Sequence, residues 1–522
     1  MAREFSQHDA SKENGGDLDW LTPDTIYQAF DEFVFNSETE ILSEPIRDEM
    51  AWTEGGYRGL LVSAPGAGQV HPRPHYRYHR GGSSMSVELL TGLLFGALLL
   101  FLVLGLPLVF CLGGVAIVFL YFLRSPQCAS FLIYCNLTSE ATSFLLTAIP
   151  LFIFMANMLE RSGVAEDLYA MMYRWIGRLR GGLAIGTVLI STVIAAMVGL
   201  SSAATVTMGI AALPSMLKRG YSKHIAIGAI TAGGTLGILI PPSVIMITYA
   251  MMAQVSLGRL WVGGILPGLL LSLIFIVYIG VRCHFQPELG PSLPPEERAS
   301  WREKLISLRA VILPIFLVVL VLGSILMGIA TPTEAAAVGA GGSILCAAIY
   351  RRLSWQNFKE VNYRTLKLAC MIIWILAAAT SFRTVYALLE AVEFFKSMLL
   401  MVPFGRWGVI IVIQLILLVL GCFLDPWGIV MIAIPVFSPV VEALGFDLIW
   451  FGILFVVNME MGYLTPPVGL NIFYMKGVAP EGITIGDIYR SVVPFVLLQG
   501  LALVLIMIFP QLVLWLPSLV FK

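Results

Sequence analysis

An all-α polytopic membrane protein, an inverted repeat with two re-entrant hairpins and two broken helices, is the fold class this sequence predicts. Three observations predict it. Of 522 residues, 58% are apolar and only 12% charged, where a soluble chain would be about a quarter charged. The apolar residues fall in long runs, at 89–123, 311–330, 368–382, 409–424 and 492–514, and a helix needs about 20 of them to cross the hydrocarbon. Finally, the helix-breaking Pro241-Pro242 recurs as Pro466-Pro467, an offset of 225 residues.

That offset organises the chain. GTLGILIPPSVIM (234–246) falls on MEMGYLTPPVGLN (459–471), so that Gly237 meets Gly462 and Leu239 meets Leu464. Pro214 likewise meets Pro439, Gly220 meets Gly445, and Pro107 meets Pro332. Glycine and proline fix where helices stop, so shared positions imply a shared architecture. Each copy should contain two helices meeting at a proline, a third helix, a hairpin, a helix broken at the Pro-Pro, and a closing helix. In the first copy these are 87–105, 107–123, 140–160, 181–217, 225–255 and 260–281. In the second they are 311–330, 332–350, 368–389, 407–441, 448–475 and 488–514.

Charge orients the copies, because basic residues stay on the cytoplasmic side. Arg174, Arg178 and Arg180 precede the stretch 181–217, and Lys218, Arg219 and Lys223 follow it. Both ends are then cytoplasmic, and the stretch enters and returns, interrupted at GLSSAAT (199–205). The segment 409–441 is interrupted at FLDPWG (423–428). Glu390, Glu393, Lys396 and Arg406 flank it on one side, Glu442 and Asp447 on the other. This acidic balance suits the outer face, so the second copy is inverted. The first membrane repeat is residues 85–281, a cytoplasmic linker 282–310, and the second repeat 311–522.

Residues 1–84 differ in kind, with 14 acids, 7 bases and no apolar run. They are expected to be a disordered polar tail, or to precede the true start at Met85, where MSVELLTGLLFG opens the membrane part. Seven cysteines are scattered singly, and no HExxH, GxSxG or phosphate-binding loop occurs. No organic cofactor, no metal beyond a coupling ion and no nucleic-acid partner are expected.

Non-helical backbone at membrane depth is tolerated only where protein or water satisfies it. Paired hairpin tips and broken helices are therefore the best pointer to a transport site. Half-helix N-termini present N–H groups to an anion, and freed carbonyls suit a cation. The first tip supplies Ser201 and Ser202, and the first broken helix Thr235 and Gly237. The second tip supplies Asp425, and the second broken helix Asn458, Glu460, Gly462 and Thr465. Their hydroxyls and carboxylates make hard oxygen sites of the kind sodium accepts. The bland alternative is that serine and threonine bond their own helix carbonyls and that Asp425 caps the returning half-helix before Pro426. Thr331-Pro332-Thr333-Glu334 reads as a capping box. Arg383 either snorkels to the outer interface or meets an anionic solute or partner. An intramembrane enzyme would need a second catalytic group beside Asp425, such as a paired aspartate or a zinc motif, and the sequence lacks both.

The strings IPLFIFMANMLERSG, LGILIPPSVIMITYA, GIATPTEAAAVGA, FLDPWGIVMIAIPVFSPV and MGYLTPPVGLNIF resemble the large membrane subunit of tripartite ATP-independent periplasmic (TRAP) transporters over residues 86–518. The resemblance implies an elevator-type permease in the bacterial inner membrane, a multi-pass sodium symporter importing an organic carboxylate. It implies two partners, a periplasmic solute-binding protein and a small four-helix membrane subunit. It places Ser201, Ser202, Gly237, Asp425, Gly462 and Thr465 at the family's tip and broken-helix positions. The tentative solute contacts are Ser202, Asn458, Thr465 and Arg383. Two departures stand out: GLSSAA replaces a Ser-Gly-Ser type tip, and Arg383 stands where a small residue is usual. A stand-alone sodium–carboxylate symporter of the same architecture is the alternative.

Overall fold

A computed structural model describes residues 86–521 except 125, 295, 297–298, 390 and 392–404. The polar segment 1–84 and the flanking charges Glu390, Glu393 and Lys396 lie outside these residues. The described residues are all-helical, with no strand. Leu120–Cys135 belongs to one compact unit, and Val87–Phe119 with Asn136–Lys522 to the other. In the first, Tyr121 Oη and Ser130 Oγ share a hydrogen bond of 2.9 Å.

The first copy runs through α1 (Val87–Val103), α2 (Leu108–Leu123), α3 (Pro126–Ala141), α4 (Phe144–Arg161) and α5 (Val164–Ile176). It continues with α6 (Gly182–Val198), α7 (Ser201–Ala211), α8 (Leu213–Lys218), α9 (Lys223–Thr235), α10 (Val244–Ala253) and α11 (Leu257–Phe285). A short α12 (Trp301–Ser307) interrupts the linker. The second copy follows as α13 (Arg309–Leu326), α14 (Pro332–Ile349), α15 (Trp355–Leu388), α16 (Gly405–Phe423), α17 (Pro426–Ala443), α18 (Leu448–Leu464), α19 (Leu470–Val478), α20 (Ile485–Ile508) and α21 (Gln511–Val520). Seven of these helices are long and apolar enough to cross a membrane, or up to eight if one bent pair is a single span.

The 225-residue offset survives in the helix boundaries. It carries Ser201, which opens α7, onto Pro426, which opens α17, and Lys223, which opens α9, onto Leu448, which opens α18. Both long helices do break at the Pro-Pro, and Pro241-Pro242 and Pro466-Pro467 are both cis. The interruptions of 181–217 and 409–441 are narrower than expected. Only Gly199-Leu200 and Leu424-Asp425 separate the helices there, so Ser201 and Ser202 are the first turn of α7 and not loop. Three elements depart from expectation. The polar α3 and the amphipathic α5 had no apolar run to announce them. The segment expected at 368–389 is part of one 34-residue helix, α15, which absorbs most of the basic connection 351–367. The capping box at Thr331 is present, with Thr331 N–H donating to Glu334 Oε2 at 2.7 Å.

Packing exchanges pieces between copies. Within each copy the hairpin's first helix lies on the broken helix, α6 on α9 and α16 on α18. The returning helices cross over: α7 packs on α19, and α17 on α10. The α9–α20 contact is close as well, for a Cβ at Gly228 would lie 2.6 Å from the Ser491 carbonyl oxygen.

Candidate functional site

The first tip is pressed onto the first break by glycines. Gly199 ends α6 at φ +66, its amide bonded to the Ala195 carbonyl at 3.0 Å. A Cβ there would lie 2.1 Å from the Pro242 carbonyl oxygen, and one on Gly237 would lie 2.8 Å from the Leu200 carbonyl oxygen. Only glycine allows backbone to meet backbone so closely. At the second junction a Cβ on Gly462 would lie 2.8 Å from Gly421 Cα, and Val468 N–H donates to the Cys422 carbonyl at 3.2 Å.

Ser201 is buried and its hydroxyl donates to Asn471 Oδ1 at 2.9 Å. Asn471, fully buried in the first turn of α19, donates from Nδ2 to the Thr231 carbonyl at 3.1 Å. The first tip is thereby tied to the second broken helix and, through it, to α9. Ser202 follows in the first turn of α7, half-buried. Thr235 donates to its own helix at Ala232, 2.8 Å, and accepts from Gln499 Nε2 at 3.0 Å.

In the second copy Thr465 Oγ donates to the Met461 carbonyl at 2.7 Å. Asn458 Nδ2 donates to the carbonyl and side-chain oxygens of Gln414, each at 2.8 Å. Asp425 caps α17, its Oδ2 accepting from Gly428 N–H at 3.3 Å. Glu460 is 0% exposed, and neither carboxylate oxygen has a hydrogen-bond partner among the described residues. A buried carboxylate without a partner is costly. Arg383 is not joined to these residues by any hydrogen bond. Its charge acts on Glu140 of α3, and Glu140 Oε1 also accepts from Thr380 at 2.9 Å.

Four half-helix N-termini meet the breaks, and they differ. The amides that open α10 and α17 are capped by Ser243 and Asp425. Those that open α7 and α19 follow Leu200 and Gly469 and have no side-chain cap. The two uncapped ends are the two that the Ser201–Asn471 bond joins. Uncapped first-turn amides are orphan donors at the positive end of the helix dipole.

Sequence reasoning missed Asn471, Gln499 and Gln414. Asn471 closes the quoted string MGYLTPPVGLN and could have been singled out as the first polar side chain beyond the second Pro-Pro. The glutamines gave no such signal, because each stands alone in an apolar helix.

A family model, "Tripartite ATP-independent periplasmic transporter, DctM component", matches residues 95–512. Another, "PPIC-type PPIASE domain", matches residues 1–52, which lie outside the described residues. The chain is 35% identical over 456 residues to the "C4-dicarboxylate TRAP transporter large permease protein DctM" of Vibrio cholerae, covering 83% of this chain and 98% of that one. It is 36% identical over 382 residues to the protein of the same name from Pseudomonas aeruginosa, covering 73% and 87%. The Alcanivorax borkumensis YdaH transporter, a crystal structure, shares the fold at TM-score 0.55 and 15% identity, covering 80% of this chain and 98% of that one.

Proposed function

We propose a transport cycle from one premise: the chain belongs to the DctM component family of tripartite ATP-independent periplasmic (TRAP) transporters. It is a multi-pass permease and not an enzyme. Within that family we infer that it imports a small organic acid across the bacterial inner membrane, coupled to a sodium gradient. A C4-dicarboxylate is the first solute to test, since relatives at 35% and 36% identity carry that name. A periplasmic binding protein would deliver the solute, and a small four-helix membrane subunit would complete the scaffold. In this reading the two hairpins are re-entrant, and the domain that carries them slides as an elevator.

One observation carries the solute site: the only two uncapped N-termini among the four at the breaks are joined by Ser201 and Asn471. A carboxylate seated there would accept from the first-turn amides of α7 and α19, with the Ser202 hydroxyl beside it. Anions are held at helix N-termini in this way. We assign Arg383 to Glu140 and not to the solute. The coupling ions are assigned to two oxygen-rich places, one at Ser201, Ser202, Thr235 and Gly237, the other at Asp425, Glu460, Gly462 and Thr465. Supporting the second is the buried Glu460 carboxyl, whose ionised form a sodium ion would compensate.

The test is uptake into proteoliposomes carrying the permease with its small subunit and binding protein, under an inward sodium gradient. Uptake of a C4-dicarboxylate should require sodium and no ATP. Equal uptake when potassium replaces sodium, without a proton gradient, removes the sodium coupling.

A further inference from the structure

A second recess lies away from the breaks, where the C-terminal end of α11 meets the N-terminal end of α20. It consists of two adjoining cavities. One, of about 690 Å³, is a groove walled by Leu273, Val277 and Val281 of α11 and by Leu498 and Leu501 of α20. The other, of about 230 Å³, is lined by His224, Arg282, Arg490, Ser222 and Ser491 among others. Tyr278 and Arg282 line both, so the apolar groove runs directly into the basic pocket.

The polar end is built for an anion. Arg282 and Arg490 are exposed and form no ion pair among the described residues. Ser491 spends its proton on the Asp487 carbonyl at 2.6 Å, so at 3.2 Å its Oγ accepts from His224 Nδ1–H. The pocket also receives the N-terminal end of α9, whose dipole adds positive potential. The nearest acid on α20, Asp487, is held by Lys223 at 2.6 Å. Glu288, beside the lining residue Leu289, is exposed and does not line the pocket.

The groove has membrane dimensions. Leu273, Val277 and Val281 repeat every four residues and are each more than half exposed, at 56%, 52% and 51%. From Leu273 to Arg282 the helix rises about 14 Å, roughly half of a 30 Å hydrocarbon core. An acyl chain beginning at the interface would reach that depth.

We propose that this recess is a binding site for one anionic phospholipid, its phosphate among Arg282, Arg490 and His224 and an acyl chain along the Leu273–Val277–Val281 stripe. Basic pockets between transmembrane helices recognise anionic headgroups by the same chemistry. A free anion would use the pocket and leave the groove empty; a helix of another subunit would use the groove and leave the arginines unpaired. A single phospholipid satisfies both.

Native mass spectrometry of the full-length protein in detergent tests this, with phosphatidylglycerol, phosphatidylcholine or inorganic phosphate added. Phosphatidylglycerol should bind at least about tenfold more tightly than phosphatidylcholine. Arg282→Gln with Arg490→Gln should erase the preference, and the double Lys variant should retain most of it. Val277→Trp should weaken retention by filling the groove while leaving the charges. Size-exclusion profiles verify that each variant is folded. An unchanged preference in the double Gln variant overturns the site. So does displacement of phosphatidylglycerol by equimolar inorganic phosphate, which would make the pocket a free-anion site. Retention unaffected by Val277→Trp overturns the acyl-chain part.

Discussion

The junction of α7 with α19 and the junction of α10 with α17 are built from corresponding pieces, yet they finish differently. Each brings the returning helix of one hairpin onto the second half of the other copy's broken helix. In the α10–α17 pair, Ser243 and Asp425 hold the first-turn amides, so those ends are complete within the protein. In the α7–α19 pair the cap positions are Leu200 and Gly469, and the amides are left open beside a buried Ser–Asn hydrogen bond. Of the four half-helix ends at corresponding places, two are capped by a side chain and two are not. The architecture repeats; the capping does not.

That contrast can be broken most directly at Asn471. Asn471→Ala removes the partner of Ser201 and loosens the two open ends. A first-turn amide bonded to a carboxylate contributes about 1.5–3 kcal/mol, so losing one such bond as the ends loosen should raise the solute concentration for half-maximal uptake about tenfold to a hundredfold. The measurement is concentration-dependent uptake at saturating sodium. An unchanged value would mean that the solute sits elsewhere.

Asp425 tests whether the capped junction is purely structural. Asp425→Asn keeps a good cap and removes the charge, so protein level should hold while the sodium needed for half-maximal uptake rises about tenfold. Wild-type sodium dependence in the Asn variant, with Asp425→Ala lowering only the protein level, would make Asp425 a cap and nothing more. It would also sharpen the difference between the junctions.

Ser243→Ala should have a smaller and different effect. Losing a cap costs about 1 kcal/mol, so thermal stability in detergent should fall while solute and sodium dependence stay at wild type. A large change in solute affinity would show that the closed junction also handles the solute. Smallest of all should be the effect of starting the chain at Met85, where the polar segment gives way to the membrane part. Uptake and membrane level are expected to stay within about twofold of full length, and a larger loss would give residues 1–84 a role in transport.

What the sequence by itself determined was whatever depends on local backbone and on hydropathy. Apolar runs of spanning length identified the membrane class, because the bilayer sets that length. Gly237, Gly462 and the two Pro-Pro pairs located the breaks, because those residues stop helices wherever they occur. The capping box at Thr331 was legible for the same local reason. The polar α3 was not, since it carries no apolar run of spanning length. Only the tertiary structure decided that α7 crosses to α19, that Ser201 meets Asn471 across 270 positions of chain, that Gln499 meets Thr235 and that Gln414 meets Asn458. It also decided that Glu140 meets Thr380. Such pairings follow from how two copies of one motif pack against each other. A side chain's neighbour across that interface leaves no periodicity along the chain, so only packing selects it.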